Sequence, residues 1–314
     1  MRILRKSKVV TYPTVHMFSL DLSLLNGNMK SGSMGCSLIN YPIIVNARFT
    51  TKEDIIQSKF NNLNIKIKNI IIEFRKKEKT TSFYKININT PDILRSHIGL
   101  GSSTSVCAGI LMALYKLEKI QFNINYLLYY GVGTQSACSS KLLLNPGFII
   151  EYGYDISTIG GVCLHKELYD YREKFSKELI SFSNYGWYMV VAIPKKLTSI
   201  SGELEKTFWD KHYPDDVINT LKINYFVSQM IFPGILNNNF QIFIDGMSKV
   251  TKIGTKSIEE KIQSTKTKDC LKLLRKQLGF AAVSSLGPTV YSFTNNPKYT
   301  LPEIDEYLFI KVPL

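Results

Sequence analysis

The sequence predicts an α+β fold, because strand-like and helix-like segments alternate irregularly along its 314 residues. Hydrophobic residues make up 45% of the chain and aromatic residues 12%, which is enough for a full core. A chain of this length is expected to form two lobes around a shared cleft. A glycine pair near residue 160 marks the boundary, and we therefore predict domains over residues 1–157 and 158–314.

Hydrophobic spacing predicts the individual elements. Alternating apolar residues from Thr81 to Thr90, closed by Pro91, predict a strand. The segment from Val106 to Leu117 places its apolar residues on one face of a helix. In the second half we expect a strand at Trp187–Pro194, helices over Asp215–Ile231 and Ser257–Leu278, and β structure over Val283–Phe293.

The most informative segment lies between the first of these strands and the helix after it. It is the run His97-Ile98-Gly99-Leu100-Gly101-Ser102-Ser103-Thr104-Ser105, called here the glycine loop. Glycines let the backbone approach an anion without a Cβ atom in the way, and the following helix directs its N–H groups and positive dipole end at the same place. No lysine follows Gly101, as a P-loop requires, and Thr104 stands where a Rossmann fingerprint has its third glycine. The loop predicts a phosphate site of another class, with a plain turn capped by Ser102 or Ser103 as the alternative.

Three further segments contain clustered glycines and polar residues. The N-terminal segment, Thr14–Leu22, contains His16 and Asp21, and the middle segment, Gly131–Ser140, is rich in glycines and hydroxyls. The C-terminal turn, Ser284–Thr289, has backbone donors and three hydroxyls that can line an anion site. Each segment alone also fits an ordinary role as strand edge, helix start or plain turn.

Charge and cysteine content limit the class of partner. The formal net charge of +14 indicates an anionic partner, and the lysines are spread without one dense basic arm. This distribution fits a phosphorylated small molecule at least as well as nucleic acid, and no nucleic-acid-binding motif is present. The five cysteines are isolated and the four histidines scattered, so we expect reduced thiols and no metal site evident from sequence. No segment has the length and apolar character of a membrane span, and we expect a cytoplasmic protein without nucleic-acid or membrane partners.

Taken in order, these segments resemble the GHMP superfamily, which is named for galactose, homoserine, mevalonate and phosphomevalonate kinases. Within it they resemble the branch of β-ribofuranosylaminobenzene 5′-phosphate synthases and related C-ribosyltransferases of C-nucleoside pathways, which carry a His-Val/Ile-Gly-Leu-Gly-Ser loop. The chain departs from this branch at Val132, where an arginine is usual, and at Ser19, where a glycine is usual. The matching stretches are the glycine loop, His16 to Gly35, Ser201-Gly202-Glu203 with Glu205 and Phe208, and Ser284 to Tyr291.

The resemblance implies a two-lobed fold with a ribosomal-S5-like N-terminal lobe and a ferredoxin-like C-terminal lobe. It also implies a reaction in which phosphoribosyl diphosphate (PRPP) loses diphosphate while a ring carbon of an aromatic or heteroaromatic carboxylic acid attacks C1 of the ribose and CO2 departs. The acceptor is expected to be 4-aminobenzoate, 4-hydroxybenzoate or a heteroaromatic dicarboxylate. Mg2+ is the expected cofactor and a homodimer the expected assembly.

We assign roles to individual residues on this basis. Asp21 is expected near the metal or the ribose hydroxyls, and His16 or His97 to orient substrate or move a proton. The diphosphate is assigned to Gly99, Gly101, Ser102, Ser103 and Thr104, and a second phosphate-facing turn to Ser284, Ser285, Gly287 and Thr289. Arg95 and Lys141 are candidate phosphate counter-charges, with a solvated surface position as the alternative for each.

An ATP-dependent small-molecule kinase of the same superfamily is the alternative function. Such kinases commonly place a carboxylate base in the middle segment, and this chain has Gln135 there and no Asp or Glu from Gly131 to Ser140. A carboxamide does not accept a proton at neutral pH, which favours the transferase. A non-catalytic protein with the same fold is the third hypothesis, and the intact loop glycines argue against it.

Overall fold

The computed structural model describes residues 5–23, 29–30, 32–59, 63–95, 97–124, 126–133, 137–144, 146–151, 154–155, 186–196 and 203–314. The strands are β1 Lys6–Thr11, β2 Thr14–Ser19, β3 Met29–Lys30, β4 Ser33–Ser37, β5 Ile43–Thr50, β6 Ile55–Ser58, β7 Phe83–Asn89, β8 Phe148–Glu151, β9 Tyr154–Asp155, β10 Tyr188–Pro194, β11 Ala282–Val283, β12 Val290–Thr294 and β13 Tyr307–Pro313. The helices are α1 Asn64–Glu78, α2 Ser102–Glu118, α3 Tyr126–Tyr129, α4 Ala137–Leu144, α5 Glu203–His212, α6 Val217–Phe226, α7 Phe232–Leu236, α8 Phe240–Val250, α9 Gly254–Lys261 and α10 Thr265–Leu278, with a π-helical turn at Val227–Ile231.

The described residues of the N-terminal part form three sheets. The largest has the order β1-β5-β7-β6, in which β6 runs parallel to β7 and the other pairs are antiparallel. β1 buries every second residue, as expected for a strand with one face on a helix, and α2 packs across β1 and β5. The second sheet has the order β2-β4-β8 and the third pairs β3 with β9. A hydrogen bond from the Thr14 N–H to the Leu100 carbonyl places the start of α2 next to the N-terminal segment.

Within the described residues, the C-terminal part contains one antiparallel sheet of order β11-β12-β10-β13. Its central strand β10 is a nearly continuous apolar run, which is typical of a strand buried on both faces. Helix α10 packs on β12. The C-terminal turn joins β11 to β12, so this sheet determines where the turn lies.

The α+β class predicted from the sequence is confirmed. The strand expected over Thr81–Thr90 is β7, and the helix expected from Val106 begins four residues earlier, at Ser102. The single helix predicted over Ser257–Leu278 is wrong: α9 ends at Lys261, and α10 begins anew because Ser264 Oγ accepts a hydrogen bond from the Thr267 N–H at 3.3 Å. The domain boundary predicted after residue 157 lies outside the described residues and stays a prediction.

Two further findings concern the class of protein. No helix within the described ranges is both long and apolar enough to cross a membrane. The cysteines among the described residues are buried and form no disulfide bond with one another; they are Cys36, Cys107, Cys138 and Cys270.

Candidate active site

The glycine loop ends in an uncapped helix N-terminus. Gly101 is the N-cap residue of α2, with φ of 58°, and no side chain caps the helix there. The hydroxyl of Ser102 instead donates to the carbonyl of Arg95 at 3.0 Å. The turn capped by a serine, which was the alternative for this loop, is therefore wrong. The first N–H groups of α2 can serve an anion, as expected for a helix start without a side-chain cap.

The glycine loop lies directly against the C-terminal turn. Gly99 has φ of +82°, and a Cβ atom on it would lie 2.4 Å from the carbonyl oxygen of Ser284 and 3.1 Å from that of Gly287. The Ser284 hydroxyl donates to the Gly99 carbonyl at 2.5 Å, and the Thr289 N–H donates to the Ile98 carbonyl at 3.3 Å. A side chain at residue 99 would push these two segments apart, which explains the glycine there.

Strand β2 is bonded to both segments. The His16 N–H donates to Ser284 Oγ at 3.1 Å, and the Ser285 N–H donates back to the His16 carbonyl at 3.0 Å. The Thr14 N–H donates to the Leu100 carbonyl at 2.9 Å. The N-terminal segment thus connects the glycine loop to a turn that follows it by nearly two hundred residues in sequence.

The middle segment closes the other side of the glycine loop. A Cβ atom on Gly101 would lie 2.3 Å from Thr14 Oγ1, which is 3.5 Å from Ser139 Oγ. A Cβ atom on Gly133 would lie 2.3 Å from Ser140 Oγ and 3.8 Å from Thr104 Cγ2. Gln135, on which the argument against a kinase rests, lies outside the described residues.

Two buried hydroxyls at this junction have no hydrogen-bond partner among the described residues, namely Ser140 Oγ and Thr289 Oγ1. Both side chains are nearly inaccessible, at 3% and 0% exposure. Burying a hydroxyl without a partner costs free energy, and such groups are rare in folded proteins. Their presence on two sides of the glycine loop is consistent with a polar ligand there.

The two candidate phosphate counter-charges, Lys141 and Arg95, lie in different surroundings. Lys141 is not a solvated surface residue, since it is 3% exposed on α4. Arg95 reaches the C-terminal part, where its guanidinium donates to the carbonyl of Lys195. His97 is exposed and has φ of 59°. Burial raises the pKa of Glu205, and the proximity of His97 opposes that shift to a smaller extent.

Asp21 holds the segment after β2 against α6. Its Oδ1 accepts hydrogen bonds from the Ser23 N–H at 2.8 Å, the Ser23 hydroxyl at 2.7 Å and the Thr220 hydroxyl at 3.2 Å. The neighbouring carbonyl of Leu20 accepts from Asn224 Nδ2 at 2.9 Å. The Asp21 carboxylate, near the end of the N-terminal segment, therefore has a fixed position against α6.

Sequence reasoning missed a buried ion pair beneath the C-terminal turn. Lys256 and Glu259 on α9 are 5% and 7% exposed, and Lys256 Nζ donates to Glu259 Oε2 at 2.6 Å. Burial raises the pKa of Glu259, and the lysine opposes that shift. Burial lowers the pKa of His16 to about 3, with the Lys256 charge as the second cause. The imidazole of His16 is consequently neutral at physiological pH.

The backbone arrangement is similar to that of solved GHMP kinases. It matches homoserine kinase of Cytophaga hutchinsonii with a TM-score of 0.63 at 14% identity, over 94% of this chain and 86% of that one. It matches phosphomevalonate kinase of Streptococcus pneumoniae with a TM-score of 0.63 at 13% identity, over 92% of each chain. The chain has the GHMP kinase fold. Mevalonate diphosphate decarboxylase of Enterococcus faecalis, at a TM-score of 0.59 and 12% identity over 98% of this chain and 97% of that one, shares it.

Sequence comparison identifies more specific relatives of this GHMP-fold protein. The β-ribofuranosylphenol 5′-phosphate synthase of Methanocaldococcus jannaschii is 26% identical over 217 residues, which are 66% of this chain and 63% of that protein. The protein of the same name from Methanothermobacter thermautotrophicus is 22% identical over 219 residues, 67% of this chain and 64% of that protein. The matches thus span less than two thirds of these relatives' lengths. No family model matches the chain. The resemblance inferred from the four segments is confirmed: the chain has the fold of GHMP kinases, and it is similar in sequence to proteins named β-ribofuranosylphenol 5′-phosphate synthase.

Proposed function

We propose that this protein is a PRPP-dependent C-ribosyltransferase that joins C1 of ribose 5-phosphate to a ring carbon of an aromatic or heteroaromatic carboxylic acid. The observation that carries the proposal is the convergence of four distant segments on one uncapped helix N-terminus, with two buried hydroxyls left without a described partner. The curated relatives add support, because their name describes a phenol ring that carries a ribofuranosyl 5′-phosphate.

The proposed reaction balances without an added redox partner. The bond from ribose C1 to the diphosphate oxygen breaks, and both electrons leave with diphosphate. The ring carbon that bears the carboxylate forms the new bond to C1. The bond from that ring carbon to the carboxylate then breaks, its electrons restore the aromatic ring, and CO2 leaves. The net equation requires no proton, so the protein's main tasks are to hold the phosphate groups, neutralise the departing charge and exclude water.

The backbone is the principal binding group in this proposal. The hydroxyl protons of Ser102 and Ser284 are donated to carbonyl groups of Arg95 and Gly99. We therefore assign the diphosphate to the N–H groups at the start of α2 and to the hydroxyl of Thr289, rather than to those two serine hydroxyls. Gly99 and Gly101 contribute indirectly, because they let the C-terminal turn and Thr14 pack against the glycine loop.

His16 is proposed to orient substrate. With a pKa near 3 its imidazole is a weak base, and because it is uncharged at neutral pH it cannot act as a general acid. A neutral imidazole can still form a hydrogen bond to a ribose hydroxyl or to the acceptor. His97 is exposed, and proton transfer from it stays a prediction.

The residues of the site are compatible with Mg2+ as cofactor. No group of three or more His, Cys, Asp or Glu side chains in the described part of the chain could hold a metal by itself. Mg2+ needs only one or two protein carboxylates when substrate phosphate oxygens and water complete its coordination, and Asp21 is the carboxylate we assign. Bound Mg2+ would supply positive charge that stabilises the leaving diphosphate.

A paired assay tests the proposal against the kinase alternative. The protein is incubated with PRPP, Mg2+ and a panel of aromatic acids, and separately with ATP, Mg2+ and small alcohols. Release of diphosphate and CO2 in the first arm is expected. Formation of ADP with a phosphorylated alcohol would overturn the proposal in favour of a kinase. Melting-temperature shifts with PRPP and with ATP compare the two ligands before the acceptor is known.

A further inference from the structure

Helix α9 lies beneath the C-terminal turn, and Lys256 on the helix and Gln263 just after it each donate one hydrogen bond to the turn. We propose that Lys256 is a positioning residue that fixes the Ser284–Thr289 turn in its diphosphate-binding conformation and so determines affinity for PRPP. The proposal rests on the proposed function for the identity of the ligand. It adds a residue that no sequence motif marks and that comes from an element outside the four segments.

The first support is the geometry of the lysine. Its side chain is 5% exposed, and Nζ donates to Glu259 Oε2 at 2.6 Å and to the Ser285 carbonyl at 3.4 Å. Gln263 acts beside it, since its Nε2 donates to the Leu286 carbonyl at 3.0 Å and to the Glu259 carbonyl at 2.7 Å. Two successive carbonyl groups of the turn are thus held from the α9 side.

The second support is the direction that these bonds impose on the backbone. The Ser285–Leu286 peptide is trans, and the C=O and N–H of a trans peptide point in opposite directions. With its C=O on Lys256, this peptide directs the Leu286 N–H away from α9. No described residue accepts a hydrogen bond from that N–H, although Leu286 is 3% exposed. The lysine therefore orients one backbone donor, the Leu286 N–H, so that it is available to an anion.

The third support is the link from α9 to Asp21. Asp215 Oδ2 accepts from the Thr255 N–H at 3.0 Å, at the start of α9. The Asp215 N–H donates to the Leu22 carbonyl at 2.8 Å, next to Asp21. Through Asp215, α9 is thereby connected to the backbone that follows Asp21, the carboxylate assigned to Mg2+, while Lys256 bonds directly to the turn assigned to phosphate. Lys256 directly follows Thr255, whose N–H donates to Asp215.

A purely structural role makes a different prediction. Replacing a buried ion pair with apolar side chains of similar size is often neutral or stabilising, whereas removing one partner leaves an unpaired buried charge. The double variant Lys256→Met/Glu259→Met should therefore fold. Under a structural role it would retain its affinity for PRPP, and under our proposal it would not.

The experiment compares this double variant with wild type and with a control. The control is Asp269→Met/Lys272→Met, which removes an exposed pair of the same i,i+3 spacing on the next helix, with side chains 63% and 78% exposed. Melting temperature, KM for PRPP, KM for the aromatic acid and Kd for inorganic diphosphate are measured for all three proteins. We expect a melting temperature within about 4 °C of wild type for the Lys256 variant. Its KM for PRPP and Kd for diphosphate should rise about tenfold, the effect of losing one hydrogen bond to a charged group, with the KM for the acid unchanged.

The outcomes separate the two proposals. A folded Lys256 variant that binds diphosphate as wild type does, or a control that loses affinity equally, would overturn the role of Lys256. Failure of wild type to bind diphosphate would overturn it as well, because the turn would not be an anion site. If wild type binds diphosphate and the Lys256 variant does not, while no acceptor releases diphosphate from PRPP, the positioning role stands and the proposed function fails.

Discussion

Replacing Gly99 with alanine probes the contact on which the proposed site depends. The residue has φ of +82°, and left-handed backbone costs an L-residue about 1–2 kcal/mol. The added Cβ would also lie 2.4 Å from the backbone carbonyl oxygen of Ser284, a group that cannot rotate away. Forcing an extra carbon into a well-packed position costs about 1–3 kcal/mol. We therefore expect Gly99→Ala to lower the free energy of unfolding by about 2–5 kcal/mol.

Gly186→Ala is the matched control. Gly186 has φ of +67°, and a Cβ atom there would meet no atom of the described residues within 4 Å, so this variant carries the backbone cost without the clash. Urea unfolding should show a loss of about 1–2 kcal/mol for the control, and PRPP should raise its melting temperature as it does for wild type. Gly99→Ala should lose that ligand-induced shift. Equal stability of the two variants, together with a retained PRPP shift in Gly99→Ala, would refute the packing of the glycine loop on the C-terminal turn.

Three further predictions follow from the site. Asp21→Asn should reduce turnover by roughly 100-fold while changing the melting temperature little, as measured by product formation and thermal unfolding; unchanged product formation would remove Asp21 from the mechanism. Ser284→Ala should lower the free energy of unfolding in urea by about 1–3 kcal/mol, because the His16 N–H and the Gly99 carbonyl both lose a buried partner, and an unchanged value would contradict those bonds. The pKa of His16 falls from 6.5 to about 3 on folding, so between these pH values the unfolded chain binds a proton that the folded chain does not. The free energy of unfolding should therefore decrease as the pH falls from 6.5 towards 3. His16→Gln should make this decrease smaller between pH 7 and about pH 5, and an unchanged pH dependence in the variant would assign it to other groups.

Local sequence patterns predicted the glycine loop and its surroundings well. Hydrophobic spacing between residues close in sequence predicts the strand before the loop, the helix after it and the strand at 188–194. The glycines were informative because positive φ and close approach leave few other choices, as Gly99 and Gly101 show. The motif resemblance then supplied what spacing alone does not, namely that four distant segments meet.

The residues beneath the C-terminal turn could not be predicted in this way. Lys256 and Glu259 have the same i,i+3 spacing as Asp269 and Lys272, yet the first pair is buried and the second is exposed. Only tertiary packing distinguishes them. Asp215 is equally inconspicuous in sequence, because it binds the start of a helix 40 residues later.

The break between α9 and α10 has a related cause. The charged and apolar residues from Ser257 to Leu278 repeat with helical spacing, which conceals the point at which one helix stops. Ser264 was a usable signal, since serine is a preferred N-cap, and the Thr267 N–H bond to its hydroxyl confirms that role.

The central claim is the formation of a carbon–carbon bond with loss of CO2, and carboxyl-labelled acceptor tests it most directly. The full chain is incubated with PRPP, Mg2+ and an aromatic acid that carries 13C in its carboxyl group. The acid chosen is the one with which the most diphosphate is released from PRPP. We predict labelled CO2 and diphosphate in equal amounts, and a product whose ribose C1 is bonded to a ring carbon. Diphosphate released without labelled CO2, or a product that retains the labelled carboxyl group, would contradict the account.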